Sequence, residues 1–191
     1  MVECGSLIAG PFCGQLLGDF GAEVIKVEDP GTGDPMRSWG HKVDGLSVHW
    51  PIVARNKKSV TADLRKAEGQ ALLRRLVSHA DVLLENFRPG TLEKWGLGYD
   101  QLSALNPGLV LVRVSGYGQT GPYAPRAGFG SIGEAMGGIR FTTGEPDRPP
   151  SRSGVSLGDS LAATFAALGT VLALRARDRT GRGQVVDSAI Y

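Results

Sequence analysis

The chain has 191 residues, 41% of them hydrophobic and 21% charged, which suits one globular domain with its own core. A formal net charge of +2 makes no case for nucleic acid as a partner, since any polyanion would have to be met by local basic residues. No uninterrupted apolar run reaches the roughly 20 residues that cross a bilayer, and the opening MVECGSLIAG has no basic stretch ahead of an apolar one, so neither a membrane segment nor a signal peptide is expected.

Along the chain, Val2 and Glu3 read as a strand, with turn residues following at once. Residues 12–20 read as a short helix with Phe12, Leu16, Leu17 and Phe20 on one face, closed by Gly21. EVIKV (23–27) is a strand, followed by the long loop DPGTGDPMRSWG. Residues 59–63 are a second short strand, and 66–78 a helix with Ala67, Leu72, Leu73, Leu76 and Val77 at helical spacing. DVLLE (81–85) has the unbroken apolar character of a strand buried on both faces. Two short helical pieces (91–95 and 99–105) lead to a strand at 109–115. Residues 130–138 read as helix, 142–153 as a Pro-rich loop, 159–177 as the longest helical stretch, and GQVVDSAIY as a last strand.

Strands alternating with helices predict a Rossmann-like α/β fold with a mainly parallel sheet covered on both faces. Ligands of such sheets bind beyond the carboxyl ends of the strands. That edge would carry the loops after Val27, Asp63, Glu85 and Ser115, which contain GTGD, RK, NFRPG and GYGQTGP. Their small residues let backbone approach a ligand, and Arg65, Lys66, Arg88 and Lys94 offer positive charge to phosphates. GTGDPM is not G-x-G-x-x-G, so there is no dinucleotide fingerprint. Cys4 and Cys13 lack the spacing of a zinc or redox site and read as reduced thiols of a cytoplasmic protein. His41, His49 and His79 lie far apart, so no metal site is expected.

Asp159, in GVSLGDSLAATFAALG, stands at the entrance of the long helix. On spacing alone it reads as a helix cap. A nucleophile is the other possibility, favoured by the donors and dipole of a helix N-terminus, with the Gly158 N–H or a neighbouring amide available for a developing oxyanion.

GAEVIKVE with GTGD, then RNKKSVTADLR, ADVLLENFRPG, NPGLVLVRVSGYGQTGP, GVSLGDS and TGRGQVVD stand in this order between Gly5 and Tyr191. In this the chain resembles the family III CoA-transferases, a group that includes formyl-CoA-, carnitine-CoA- and succinyl-CoA-dependent transferases and the related α-methylacyl-CoA racemases. The resemblance implies an α/β large domain joined to a smaller one, in subunits interlocked as a homodimer. Residues 1–191 would be the N-terminal part of the large, CoA-binding domain, without the small domain, the C-terminal return or the glycine-rich loop of the active site. It implies Asp159 as nucleophile, acyl-CoA and a carboxylic acid as partners, and coenzyme A as substrate with no permanently bound cofactor. By the same resemblance CoA would be met by Ser6 and Leu7 in the first turn, by Arg37 and Arg65, by Asn86 and Phe87, and by Lys94, where many members have Arg. For Phe87, core packing is the competing expectation. Residues 116–118 would form a close-approach loop near the thioester.

The racemase branch places a His after an Ala-Gly pair; here Ala127-Gly128 is followed by Phe129, which takes no proton. That favours acyl-CoA transfer, with succinyl-CoA or a similar dicarboxylic acyl-CoA as donor and Arg126, Arg140, Arg148 or Arg152 available to a second carboxylate. A racemase-like enzyme and a CoA-binding module without catalysis are the alternatives.

Overall fold

The computed structural model describes residues 1–191. In chain order the elements are β1 (Val2–Glu3), α1 (Ala9–Asp19), β2 (Val24–Glu28), a 3-10 turn (Pro35–Ser38), β3 (Lys42–Val43), β4 (Leu46–Ser47), α2 (Trp50–Ala54), β5 (Lys57–Thr61), α3 (Ala67–Val77), β6 (Val82–Glu85), α4 (Thr91–Lys94), α5 (Tyr99–Leu105), β7 (Val110–Ser115), α6 (Gly130–Met136), α7 (Leu157–Thr180) and β8 (Val185–Ala189). Six strands pair in the order β5-β2-β1-β6-β7-β8, every pair parallel. The two-residue β1 lies between the halves, with Val2 opposite both Ile25 and Leu83. The chain winds outward through β2 and β5, returns to the centre, and winds the other way through β6, β7 and β8. The strand order therefore reverses between β1 and β6, which makes that gap the topological switch point.

Alternation along the strands divides the core into two layers. Leu83 and Leu111 point to one face, under Leu73, Val77, Leu92, Leu97 and Leu102 of the α3–α5 side. Val82, Leu84, Val110, Val112 and Val114 point to the other, under α1 and the alanines of α7.

The structure corrects the expected face of the first helix. Phe20 lies beyond its end and is 91% exposed. What α1 buries is a stripe of small residues, Ala9, Gly10, Cys13, Gly14 and Gly18, together with Pro11 and Gln15. The reason is closeness: a Cβ on Gly10 would lie 3.1 Å from the Gly5 Cα, and one on Gly14 would run into the Glu3 carboxylate. Phe12, Leu16 and Leu17 flank the core, half-buried.

By length and hydropathy α7, with 24 residues, is long and apolar enough to cross a membrane, which counting unbroken apolar runs does not register. Here Ala162, Ala163, Ala166 and Ala173 lie buried in the core layer beneath it. The β3–β4 hairpin, α2 and the 3-10 turn are absent from the sequence reading. The hairpin had a signal, since Asp44 and Gly45 both take positive φ (50° and 80°) in its turn, and Asp-Gly is a strong two-residue hairpin sequence.

Candidate functional site

Two cavities open along the carboxyl edge of the sheet. The first, of about 310 Å³, lies over the β1, β2 and β5 ends and is lined by Lys26, Asp34, Arg65 and Trp95 among others. The second, of about 570 Å³, lies over β1, β6, β7 and β8 and holds Asp159. Ser6 and Phe87 line both, one from the β1 end and one from the β6 end, so the cavities adjoin at the switch point. Together they follow a cleft of the size that takes a small molecule.

Asp159 is the third residue of α7, and the N-cap is Ser156. Its carboxylate therefore does not cap the helix. It is half-buried, resting against Gly130 at the start of α6, where a Cβ would collide with Oδ2. Burial pushes its carboxyl up to about 6; the nearby Glu134 charge adds to this and Arg152 opposes it.

Glu134, which the sequence reading missed, projects from α6 with its side chain fully buried. Its Oε1 accepts the Gly158 N–H at 3.3 Å, while Oε2 has no hydrogen-bond partner and lies 3.9 Å from Arg152 Nε. The expectation that the Gly158 N–H would hold an oxyanion is corrected by this contact, because the amide is buried and spent on Glu134. A lone carboxylate among the small residues of GSIGEAMGG was the available signal.

Of the other expected residues, Ser6, Leu7, Asn86 and Phe87 line the Asp159 cavity, and Arg65 lines the first. The Asn86 side chain pairs reciprocally with the Ser6 backbone, accepting its N–H at 2.8 Å and donating to its carbonyl at 2.8 Å. Phe87 packs in the core and also faces the cavities. On the α3–α5 layer it lies edge-on to Trp95 with ring centroids 5.3 Å apart. Arg65 is exposed and held by Asp63 and Asp29 at 2.7 and 2.6 Å. Arg37 and Lys94 line neither cavity. The Arg37 guanidinium is spent on Glu28, at 2.7 and 2.8 Å, and stacks 4.0 Å over Trp50, and Lys94 is exposed on α4. Arg126 and Arg152 reach the Asp159 cavity, as does Arg88, whereas Arg140 and Arg148 do not. Gly116 and Gly128 cross so closely that a Cβ on either would lie 2.6 Å from the other's Cα, so the small residues here admit chain to chain. Cys4 and Cys13 are both buried and unpaired, and no three potential metal ligands come together.

Residues 1–191 match the family described as CoA-transferase family III. The chain is 69% identical over 192 residues to the succinyl-CoA–D-citramalate CoA-transferase of Chloroflexus aurantiacus, covering 100% of this chain and 48% of that protein. It is 49% identical over 194 residues to the alpha subunit of a succinyl-CoA–L-malate CoA-transferase from Chloroflexus aurantiacus, covering 100% of this chain and 45% of that one. A crystal structure of a CAIB/BAIF family protein from Brucella suis superposes with a TM-score of 0.93 at 46% identity, covering 99% of this chain and 51% of that one. The chain thus spans about half the length of the relatives it matches.

Proposed function

This chain belongs to CoA-transferase family III, and we propose that in its full-length setting it moves CoA from an acyl-CoA donor to a carboxylic acid through Asp159. The observation that carries the reading is the half-buried Asp159 carboxylate, facing the larger cavity with no capping duty. An Asp159 oxygen attacks the thioester carbonyl; the C–S bond breaks and CoA leaves as thiolate, giving a mixed anhydride. The thiolate then attacks the aspartyl carbonyl, releasing the donor acid and leaving an aspartyl-CoA thioester. The acceptor carboxylate attacks that thioester, and CoA thiolate attacks the acceptor's side of the new anhydride, freeing Asp159 and the product thioester.

Succinyl-CoA or a similar dicarboxylic acyl-CoA is the donor in this reading. It is supported by the substrates named for the Chloroflexus relatives and by Arg126 and Arg152 at the Asp159 cavity, which suit a second carboxylate. The first cavity takes the nucleotide end of CoA, with Arg65 at its wall and Phe87 between the chambers. Phe129 lines the cavity and has no atom that titrates, which disfavours the racemase alternative. We take the chain as the N-terminal part of the large domain of an interlocked cytoplasmic homodimer.

The test is a donor–acceptor screen of the full-length protein read by mass spectrometry. CoA exchange should occur between succinyl-CoA and a dicarboxylic acid, with a hydroxylamine-labile adduct on the Asp159 peptide. Exchange without any such adduct would remove Asp159 from the mechanism.

A further inference from the structure

At the wall of the first cavity, which Lys26 and Asp34 line, lies a cluster of buried charges that no step of this transfer uses. Lys26 of β2 is 2% exposed; its Nζ donates to Glu3 Oε1 at 3.0 Å and to the Gly5 carbonyl at 2.7 Å. Asp34 Oδ2 lies 2.8 Å from the same Nζ, an ion pair set off the hydrogen-bonding direction. Lys57 closes the cluster from β5, donating to Glu3 Oε2 at 2.7 Å and to the Pro11 carbonyl at 2.6 Å. Charges taken so far out of water are costly, and apolar residues of equal volume often hold such elements together as well. Cohesion alone therefore does not account for the cluster.

What the cluster grips is the turn at residues 5–7. Lys26 takes the Gly5 carbonyl, and the Asn86 side chain takes the Ser6 N–H and carbonyl. Asp34 Oδ1 accepts the Leu7 N–H at 3.1 Å while also capping the 3-10 turn through the Met36 N–H at 2.8 Å. Leu7 sits at φ 63°, in the left-handed region a leucine rarely adopts unless its surroundings impose it. The turn is thus held by side chains from distant parts of the sequence, and its middle residue, Ser6, is shared by the two cavities.

We propose that Lys26 and Asp34 are positioning residues that lock the turn at residues 5–7 before substrate arrives, so that an acyl-CoA crossing from one cavity to the other meets a fixed backbone wall. The inference rests on the reading that the paired cavities take acyl-CoA. Its physical basis is preorganisation: ordering already done in the free protein is not charged against binding. Asp34 acts through the turn and Lys26 through the Gly5 carbonyl, and neither touches the reacting atoms.

The experiment uses the full-length protein and CoA as probe. Asp34→Ala removes the acceptor of the Leu7 N–H, whereas Asp34→Asn keeps an oxygen there. The Ala variant should weaken CoA binding about tenfold or more and raise KM for acyl-CoA to match, because the ordering cost returns on binding. Its kcat should change by less than about threefold, since the turn does not act on the transition state. Asp34→Asn should recover most of the affinity. A folded Ala variant with unchanged Kd, or an Asn variant as weak as Ala, overturns the proposal. Hydrogen exchange on the wild-type protein decides even if the Ala variant fails to fold: protection of the Ser6 and Leu7 amides before CoA is added supports the locked turn, and protection that appears only with CoA overturns it. If the wild type binds no CoA, the functional reading falls instead, and the exchange result still decides on the turn.

Discussion

A carboxylate that attacks a thioester must be ionised when the substrate arrives, and the surroundings of Asp159 work against this. Burial, with Glu134 in support, holds it near 6 rather than at the usual 3.8. Activity should therefore fall as pH drops through about 6, because the protonated acid cannot attack. Glu134→Gln removes the second of the two causes and should shift that acid limb of kcat/KM to lower pH, while burial keeps it above the ordinary value; an unmoved limb would show that Glu134 does not act on Asp159. The same shift bears on stability. The folded protein holds the Asp159 proton to higher pH than the unfolded chain does, so this group's contribution becomes less favourable as pH rises from 3.8 to about 6. Asp159→Asn should accordingly abolish transfer without lowering Tm at pH 7. A simple cap would instead keep transfer on going to Asn and lose about 1 kcal/mol of stability on going to Ala. The sequence places Asp159 at a helix start but cannot tell a cap from the third helical residue, because the deciding fact is the backbone at Ser156. It is equally silent on Glu134, whose importance comes from a contact between α6 and α7, 24 residues apart. Arg37 and Lys94 show the opposite limit: basic residues near the expected edge are visible in the sequence, but whether they turn into the cleft is decided by partners such as Glu28.

At the scale of elements, the site depends on close approaches that only glycine allows. Gly130 opens α6 directly against Asp159, the proposed nucleophile, and Gly130→Ala should push its carboxylate aside. A displacement on the order of 1 Å is enough to cost about a hundredfold in kcat, so CoA affinity should stay near wild type while turnover collapses. Equal loss of both would point to disruption of α6 rather than to the nucleophile. Gly14→Ala tests the α1 side, where the added methyl meets the Glu3 carboxylate within the buried charge cluster. An overpacked contact of this kind costs roughly 1–3 kcal/mol, which should appear as a lower denaturant midpoint with an unchanged slope. These contacts also explain what was legible. Periodicity found the amphipathic α3, and an unbroken apolar run found β6, because each of those signals is local. The face of α1 was misread because its buried residues are small and carry little hydrophobic signal, although the helix packs closest where they lie. The parallel class of the sheet followed from alternation of strands and helices; its order could not, since β1 pairs with β6 across some 80 residues.

The whole molecule presents apolar surface on α7, the helix that carries Asp159. The outer side of α7 exposes Leu161 at 47%, Phe165 at 64%, Leu168 at 54% and Leu172 at 60%. Their spacing of four, three and four residues puts them on one face. The inner side of the helix is already spent on the sheet through Ala162, Ala163, Ala166 and Ala173, so α7 has two apolar faces and only one of them is covered. A continuous exposed patch of this kind drives association in water. The chain spans about half the length of its relatives, and the proposed interlocked dimer would supply further chain to cover the stripe. Expressed alone, the 191 residues should therefore self-associate and show no turnover. Light scattering should give a mass above the monomer that rises with concentration. Phe165→Ser with Leu168→Lys, on the exposed face and away from Asp159, should bring it down without lowering the helical signal in circular dichroism. A wild-type chain that stays monomeric at high concentration would mean that this face tolerates water. Loss of helix in the double variant would mean that it is held from within the chain. Only a soluble, folded variant with the association removed identifies the outer side of α7 as the surface through which the 191 residues associate.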